Sequence, residues 1–536
     1  MTDKKLISKS SYLIYRQCPK YFWYYINDRK NIPEFDQRAK FNFKIGHIIG
    51  NLAKLQYREG VEASSEGSLE DNIEKTKALL ESGKPVFEAG FMAEAGSKIK
   101  HAPVRIYARA DILLPVDGGR QWDIIEVKSS AGVKAVNITD VAFQKYCYRE
   151  AGLNIRNCFV MHINSNYILN GGIDPFGIFR MTEITEEAGK IIPHIKNDIR
   201  KMAEIMEKNE PPVTEVGKFC GSPFDCPLKT VCWENIRETS IFYLNSLNRK
   251  TAKRIVERGF RHMHEIPEDF PGINYKQKIQ IDCAKNSECW VDKTAISNFI
   301  SNIEYPLYFL DFETFSSPVP LIEGTRPYQA IPFQFSLHIA ESPDSIPEHH
   351  AFLADGKGDP RPELSIALRK KFGFSSGDDG RAFKGSLVVY NESAERAILR
   401  DLAAFNSRNG GWIFKISSRI IDLYDPFKNF YFYSVSQKGS ASIKKVLPAL
   451  TDKNYSEMAI KNGDIAGINF LSGSMLWKNF ITLNNLDNLN GRHNIEEDLQ
   501  DQAEKEELLR FNLEQYCKLD TEGLYHILEK LKKLAI

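Results

Sequence analysis

The chain has 536 residues, 42% hydrophobic and 26% charged, which suits a globular protein of two to four domains, each with its own core. A formal net charge of +1 neither demands nor excludes a polyanionic partner, because only a local basic surface decides that. No apolar run reaches the roughly 20 residues of a membrane span, the opening MTDKKLISKSS lacks an apolar signal segment, and nine cysteines, an odd number, argue against a disulfide framework and for a reducing cytoplasm.

Residues 1–240 alternate helical and strand patterns and close with Pro211-Pro212 and a group of cysteines. Cys18 stands alone near the start; Cys220, Cys226 and Cys232 follow at C-x5-C-x5-C spacing. Four thiolates so arranged suit zinc or an iron–sulfur cluster, although zinc sites more often show a short C-x2-4-C pair. Cys147, Cys158, Cys283, Cys289 and Cys517 form no such group and read as buried, unligated thiols. The run Tyr21-Phe-Trp-Tyr-Tyr25 either packs in a core or offers a stacking platform for bases.

Within this region a strand, IYARADILL, carries Asp111, and a second strand, Trp122–Lys128, places Glu126 and Lys128 on one face by the period of two. If the two strands pair, two carboxylates and an ammonium converge. Hard carboxylate oxygens suit Mg²⁺ or Mn²⁺, which lowers the pKa of a bound water, while the lysine positions that water or stabilises charge. Gln144 and Tyr148 follow at i, i+4 on one helical face, placed to contact substrate beside that metal. Taken alone, Glu-x-Lys equally describes alternating charges on a solvated strand.

Residues 241–304 read as a helical connector with turn signals at Gly259, Pro267 and Pro271-Gly272, compatible with a helix-hairpin-helix-like unit or a spacer. At Tyr305-Pro306 a new pattern opens with an apolar strand, Leu307-Tyr-Phe-Leu310, that delivers Asp311 and Glu313 to one strand face. The strand Val388-Val-Tyr-Asn391 ends in a candidate N-cap for the following helix, and Glu395 lies one turn further on. Tyr516 and Asp520 share a face of a long C-terminal helix. Four acids and a tyrosine in this order match a two-metal site, and surface acids on unrelated elements are the plainer alternative. Asp422, at the end of another strand, is an alternative fourth acid; Lys438–Lys445, with its hydroxyls, glycine and lysines, is either a phosphate contact or a solvated loop.

Over residues 8–240 these motifs resemble the RecB-like branch of the PD-(D/E)XK nucleases, and more narrowly the iron–sulfur exonucleases of CRISPR spacer acquisition and the AddB-type helicase-nucleases. The resemblance rests on Ser10-x2-Leu13…Cys18-Pro19, a Gly46 helix, Glu88, Asp111, Glu126-x-Lys128 and Gln144-x3-Tyr148. It implies that Cys18, Cys220, Cys226 and Cys232 hold a [4Fe–4S] cluster that closes the domain. The family often places a metal-ligating histidine four residues after the helix glycine; here Gly50 stands there and His47 lies beside Gly46, so either His47 or Glu88 completes the coordination. Residues 305–536 resemble the DnaQ-like, ribonuclease-H-fold 3′–5′ exonucleases of the DEDDy type. Asp311 and Glu313 match their first motif, Glu395 stands where the second has aspartate, and Tyr516 and Asp520 match the third, in which the tyrosine orients the attacking water. The whole arrangement resembles bacterial proteins that fuse the two.

The expected fold class is therefore α/β: an N-terminal restriction-endonuclease-like domain with an Fe–S cluster, a helical connector and a C-terminal ribonuclease-H-like domain. The expected function is metal-dependent hydrolysis of DNA, single-stranded or from free ends, in repair, processing or defence. RNA is the alternative substrate; repair or defence proteins are candidate partners, and no membrane is involved. Two rival readings remain open: one centre, rather the C-terminal, is degenerate and clamps nucleic acid, or the chain is a non-catalytic assembly module.

Overall fold

The computed structural model describes residues 6–63, 67–99, 102–375, 382–406, 410–483 and 499–536. The chain is a mixed α/β protein with two compact units. The first holds the described residues up to Asn235 together with Ser317–Gln329; the second holds most of the remainder, from Ile236.

In the first unit, β1 (Leu6–Ser8), β2 (Val61–Glu62), β3 (Val86–Ile99), β4 (Ala102–Val116), β5 (Gln121–Lys128), β6 (Ile155–Ile163) and β7 (Phe179–Glu183) form one sheet of order β2-β3-β4-β5-β6-β7, with β1 parallel to β4. β4 and β5 pair antiparallel, with Ile112 opposite Ile125, so Asp111 arrives beside Glu126. β5 and β6 are parallel and need a crossover, which the helix Ala135–Glu150 supplies. That helix is buried without a break from Asp140 to Tyr148, so its polar residues are carried into the interior with its apolar ones. Tyr12 stacks on its Phe143 at 4.7 Å. Of the run Tyr21–Tyr25, Tyr21, Phe22 and Trp23 are buried, and the Trp23 indole donates to the Lys208 carbonyl at 2.9 Å. These three rings are packing, not a stacking platform, because the apolar face of their helix has a core to cover.

The second unit contains β8 (Trp290–Val291), β9 (Leu307–Phe315), β10 (Ile331–Ala340), β11 (Glu348–Leu353), β12 (Ser386–Val389), β13 (Ile420–Asp422) and β14 (Phe432–Tyr433). Five of them order as β11-β10-β9-β12-β13, with β9, β12 and β13 parallel and β10 antiparallel to both of its neighbours; β14 and β8 make a separate pair. Gly385 precedes β12 with φ +91°, and a Cβ there would stand 2.0 Å from the Pro306 carbonyl oxygen. Only glycine lets β12 start against β9. Residues 241–300 enclose a small core of Ile241, Leu244, Ile255, Met263, Ile266 and Phe270 and belong to this second unit. A helix from Leu499 to Ala535 packs on β9 and β10. Among the described residues, no helix is long and apolar enough to cross a membrane.

One buried network has a stability consequence. His338 on β10 pairs its Nδ1 with the Thr521 hydroxyl at 2.8 Å, and Ser336 meets both Thr521 and His349. Burial, then the neighbouring His349, pulls the His338 imidazole down to about 4, against Glu522. A histidine held neutral in the fold contributes stability that is complete above its unfolded pKa of about 6.5 and is lost as pH falls towards 4. Asp520, raised in the fold, has the opposite slope over the same range, so the useful quantity is a difference between proteins. On going from pH 7 to pH 5, the wild type is expected to lose about 2 kcal/mol more than His338→Asn in denaturant titrations. Equal losses would show that His338 titrates normally.

Candidate functional site

In the first unit, β4, β5 and the crossover helix bring Asp111, Glu126, Lys128 and Gln144 together. Glu126, buried at the C-terminal end of β5, accepts from Lys128 Nζ at 2.6 Å and Lys9 Nζ at 2.9 Å on Oε1, and from Gln144 Nε2 at 2.7 Å on Oε2. Lys128 also reaches Asp140 Oδ2 at 2.8 Å, and Lys9 lies 3.5 Å from Asp140 Oδ1. Asp111 Oδ2 takes the Val127 amide at 2.7 Å, which fixes the carboxylate beside the strand that carries Glu126. Burial raises the Glu126 carboxyl, and the charges of Asp111 and Asp140 add to it. Burial alone would lower Lys128, but Asp140 and Glu126 outweigh it and hold the ammonium charged well above its ordinary range. Asp140, despite its burial, is held well below the carboxylate range by Lys128 and Lys9.

Lys9 and Asp140 belong to this site without belonging to any of the motifs. Asp140 had a local signal, one helical turn before Gln144 on the same face. Lys9 had none, because only the pairing of β1 with β4, a hundred residues away in sequence, brings it in. Tyr148 stands apart from the carboxylates: its hydroxyl accepts from the Ala110 amide at 2.8 Å and donates to the Ala89 carbonyl at 2.5 Å. It therefore ties together the residues next to Asp111 and Glu88 and is a positioning residue, buried too deeply to contact substrate. Glu88, in a left-handed conformation at φ 55°, is ion-paired with Lys54 at 3.1 Å and Arg109 at 3.0 Å. His47 is exposed on the helix Gln37–Lys54.

The four cysteines line one pocket, walled by Val216, Phe219 and Leu228 and edged by Lys20 and Lys229. Cys18 sits at the start of the helix Pro19–Asn27, where its sulfur accepts from the Tyr21 amide at 3.5 Å. The other three lie in a segment with little regular structure, held to the helix Lys9–Gln17 by Gln17 Nε2, which donates to the carbonyls of Phe219 (2.9 Å) and Phe224 (2.6 Å). Burial raises the Cys18 thiol and pushes Cys226 up to about 11.

The second unit gathers Asp311 and Glu313 from β9, Glu395 from the helix Glu392–Phe405, and Tyr516 and Asp520 from the C-terminal helix. Among the described residues, Asp311, Glu313 and Cys517 are the group whose ligand atoms all lie within 4.8 Å of one another. Burial, then Asp520, raises Asp311; burial, then Asp311, raises Glu313. Asp520 is pushed up to about 6 by burial, against hydrogen bonds from Tyr455 and Tyr516 and the charge of Lys444. The Tyr455 bond is 2.5 Å, and Lys444 Nζ sits 5.0 Å from the centre of the Tyr516 ring. Tyr455 lies in a loop with no motif, so only the fold brings it to this site. Lys444 belongs to the Lys438–Lys445 segment, whose other end is occupied differently: Lys438 faces Glu238 at 3.6 Å. Gly463 closes one side, since a Cβ there would lie 3.1 Å from Glu313 Oε2.

Asn391 does not cap the helix after it with its side chain. Its backbone is left-handed at φ 71°, and the carboxylate of Asp422 does the capping from β13. Asp422 accepts from the amides of Asn391 (2.8 Å), Glu392 (2.9 Å) and Tyr424 (2.9 Å), a charge at a helix N-terminus where it is favoured. Glu395 is the reverse case: it is 4% exposed, and its buried Oε2 has no hydrogen-bond partner. Asp422→Ala is thus expected to lower stability by about 1–2 kcal/mol with little change in divalent-cation affinity. Glu395→Gln should weaken cation binding about tenfold without lowering the melting temperature. The opposite pattern in calorimetric titration and melting would make Asp422 the ligand.

Residues 308–442 match a family described as a domain of unknown function, DUF2779, a span that includes Asp311, Glu313, Glu395 and Asp422 and stops short of Tyr516. No curated protein matches the chain. Among solved structures it is similar to SSO0001, known from a crystal structure, at 14% identity and a TM-score of 0.25, over 44% of this chain and 90% of that one.

Proposed function

We propose that the chain is a Mg²⁺- or Mn²⁺-dependent nuclease with two centres. Residues 1–240 would form a RecB-like PD-(D/E)XK domain closed by a [4Fe–4S] cluster, and 305–536 a DnaQ-like domain of ribonuclease-H type, with the connector 241–304 belonging to the same compact unit as the latter. The observation that carries this reading is the convergence of Asp111, Glu126, Lys128 and Gln144 from two strands and a helix. DNA with free single-stranded ends is the favoured substrate, in repair or defence in the cytoplasm.

The donor sets are of the right chemistry for the cations. Asp111 and Glu126 offer hard oxygens in the first centre, and Asp311, Glu313, Glu395 and Asp520 in the second. A bound cation in such a site supplies charge neutralisation and a water of lowered pKa. Lys128 keeps its proton, so it serves as a fixed positive charge for a phosphate oxygen and not as a base. Lys9 and Gln144 hold the two oxygens of Glu126 in place. In the second centre, Tyr455 and Tyr516 stay protonated, with burial the main cause and Asp520 next, and so remain hydrogen-bond donors that can orient a water. For the cysteines, a zinc ion with bonds of about 2.3 Å would bring tetrahedral sulfurs within about 3.8 Å of one another. The four line one pocket, so a single metal group can take all of them as ligands. Lys20 and Lys229 at its edge suit an anionic thiolate cluster.

The unpartnered Glu395, where the resembled family has aspartate, favours one second reading, in which the C-terminal centre clamps nucleic acid without cutting it. The test is incubation of the protein with end-labelled linear single-stranded DNA, its circular form and RNA, each with Mn²⁺ and with chelator. Cation-dependent loss of the linear DNA is expected. If no DNA or RNA is cleaved by protein with an intact cluster, a binding or assembly module replaces this reading.

A further inference from the structure

We propose that the outward face of the helix Gln37–Lys54 carries a single strand of DNA to the first centre. Phe43 stacks on its bases, and Arg38, Lys40 and Lys44 meet its phosphates. The inference rests on the nuclease reading of that centre and deepens it by naming where the substrate lies. The helix packs on β5, the strand that ends in Glu126 and Lys128. Its inner face is Ile45, Ile48, Ile49 and Leu52, all buried, at the i, i+3, i+4, i+7 spacing of a core-facing stripe. Phe43, two residues before Ile45, is turned roughly 200° from it about the helix axis. Lys40 and His47, both exposed, share the side of the helix that Phe43 occupies.

Aromatic rings and charge together favour this occupant. Phe43 is 53% exposed and Phe35, just before the helix, 46%; their rings meet edge to face at 5.1 Å, so the pair is held in place without being covered. Tyr21, Phe22 and Trp23, by contrast, are in the core and offer no face to a base. Between Gln37 and Lys54 stand four cations, Arg38, Lys40, Lys44 and Lys54, and no acid. Lys54 is taken by Glu62 and Glu88, each at 3.1 Å. Lys40 pairs with Glu34 at 3.1 Å, but both side chains are exposed, so that pair is worth little in water and yields to a phosphate. Gly46 and Gly50, three and seven residues after Phe43, have open space where a Cβ would stand, which keeps the face low enough for a strand to run along it. Exposed rings among cations on an acid-free helix suit a single strand, whose bases are free to stack and whose backbone follows the charge; a duplex keeps its bases stacked on one another.

The test uses the full-length protein in chelator, so that nothing is cut, with a single strand of thymidines in which one base is 5-iodouracil. Ultraviolet irradiation should cross-link that base to Phe43 or Phe35, as located by mass spectrometry of the digested protein. In anisotropy titrations Phe43→Ala should bind the strand about 5- to 150-fold more weakly at an unchanged melting temperature. Phe43→Leu, which keeps an apolar side chain without a ring, should lose as much, and Phe43→Trp should bind at least as tightly as the wild type. Lys40→Ala should lower the slope of log affinity against log salt by about 0.7. Cross-links confined to other residues, or Phe43 variants that bind as the wild type does, would overturn the proposal. So would stronger cross-linking of an RNA of the same sequence, or a Phe43→Ala protein that sediments as a smaller species than the wild type, which would make the face a contact between copies of the chain. Binding and cleavage are read separately. A protein that cross-links through Phe43 yet cuts no nucleic acid with Mn²⁺ keeps this inference and defeats the nuclease reading, whereas Asp111-dependent cleavage without that cross-link does the reverse.

Discussion

Replacing Lys128 by alanine is expected to lower cleavage by the first centre about 100- to 1,000-fold, the loss usual for a charge aimed at a transition state. Its side chain is a quarter exposed, whereas Glu126, which it touches at 2.6 Å, is almost fully buried. The ammonium thus has one side in the network and one open to substrate. The variant should still fold. Removing one partner of a buried ion pair ordinarily costs about 3–5 kcal/mol. Here Lys9 still bonds Glu126 at 2.9 Å and lies near Asp140, so the loss should fall below that range. Lys9→Ala should show the complementary pattern, a larger drop in melting temperature and a smaller drop in rate. If Lys128→Ala cleaves as the wild type does with the second centre disabled, the Glu126-x-Lys128 pair is structural.

Cys226→Ser is the second variant with a large expected effect, this time on stability. Cys18 and Cys220 are separated by about two hundred residues, and a link closing a loop of that length stabilises by about 5 kcal/mol through loss of unfolded-state entropy. The segment that carries the last three cysteines has only a short 3-10 turn at Lys218–Cys220 and a one-turn helix at Lys229–Cys232, so few backbone bonds compensate. The wild-type protein handled without oxygen should be brown, with broad visible absorbance that bleaches on reduction. Cys226→Ser should be colourless and its first unit should melt at least about 10 °C lower. Oxidation of the cluster should remove cleavage that depends on Asp111 and spare cleavage that depends on Asp311. A colourless wild type with stoichiometric zinc would replace the cluster with a zinc staple.

The parts of both sites that lie on one strand or one helix face were legible in the sequence. Glu126 with Lys128, Asp311 with Glu313, and Tyr516 with Asp520 obey the periods of two and 3.6, which do not depend on tertiary structure. The four cysteines were legible for a different reason, since regular spacing of a rare residue survives without any knowledge of the fold. Lys9, Tyr455 and Gly463 were not legible, because strand pairing or loop packing across the fold brings them to the sites. Asn391 misled for a related reason: as a residue type it suits a helix N-cap, but a distant carboxylate, Asp422, does that work better. Nothing in its spacing distinguishes Cys517 from Cys147, and only the fold sets it against Asp311.

Two separate phosphodiester-hydrolysing centres on one chain should contribute to cleavage independently. The most direct measurement compares wild type, Lys128→Ala, Asp311→Ala and the double variant on the same end-labelled linear single-stranded DNA with Mn²⁺. Each single variant is expected to keep the part of the cleavage that belongs to the other centre, and the double variant to fall at least about 100-fold below the wild type. A double variant that cleaves as fast as the wild type would contradict the two-centre reading.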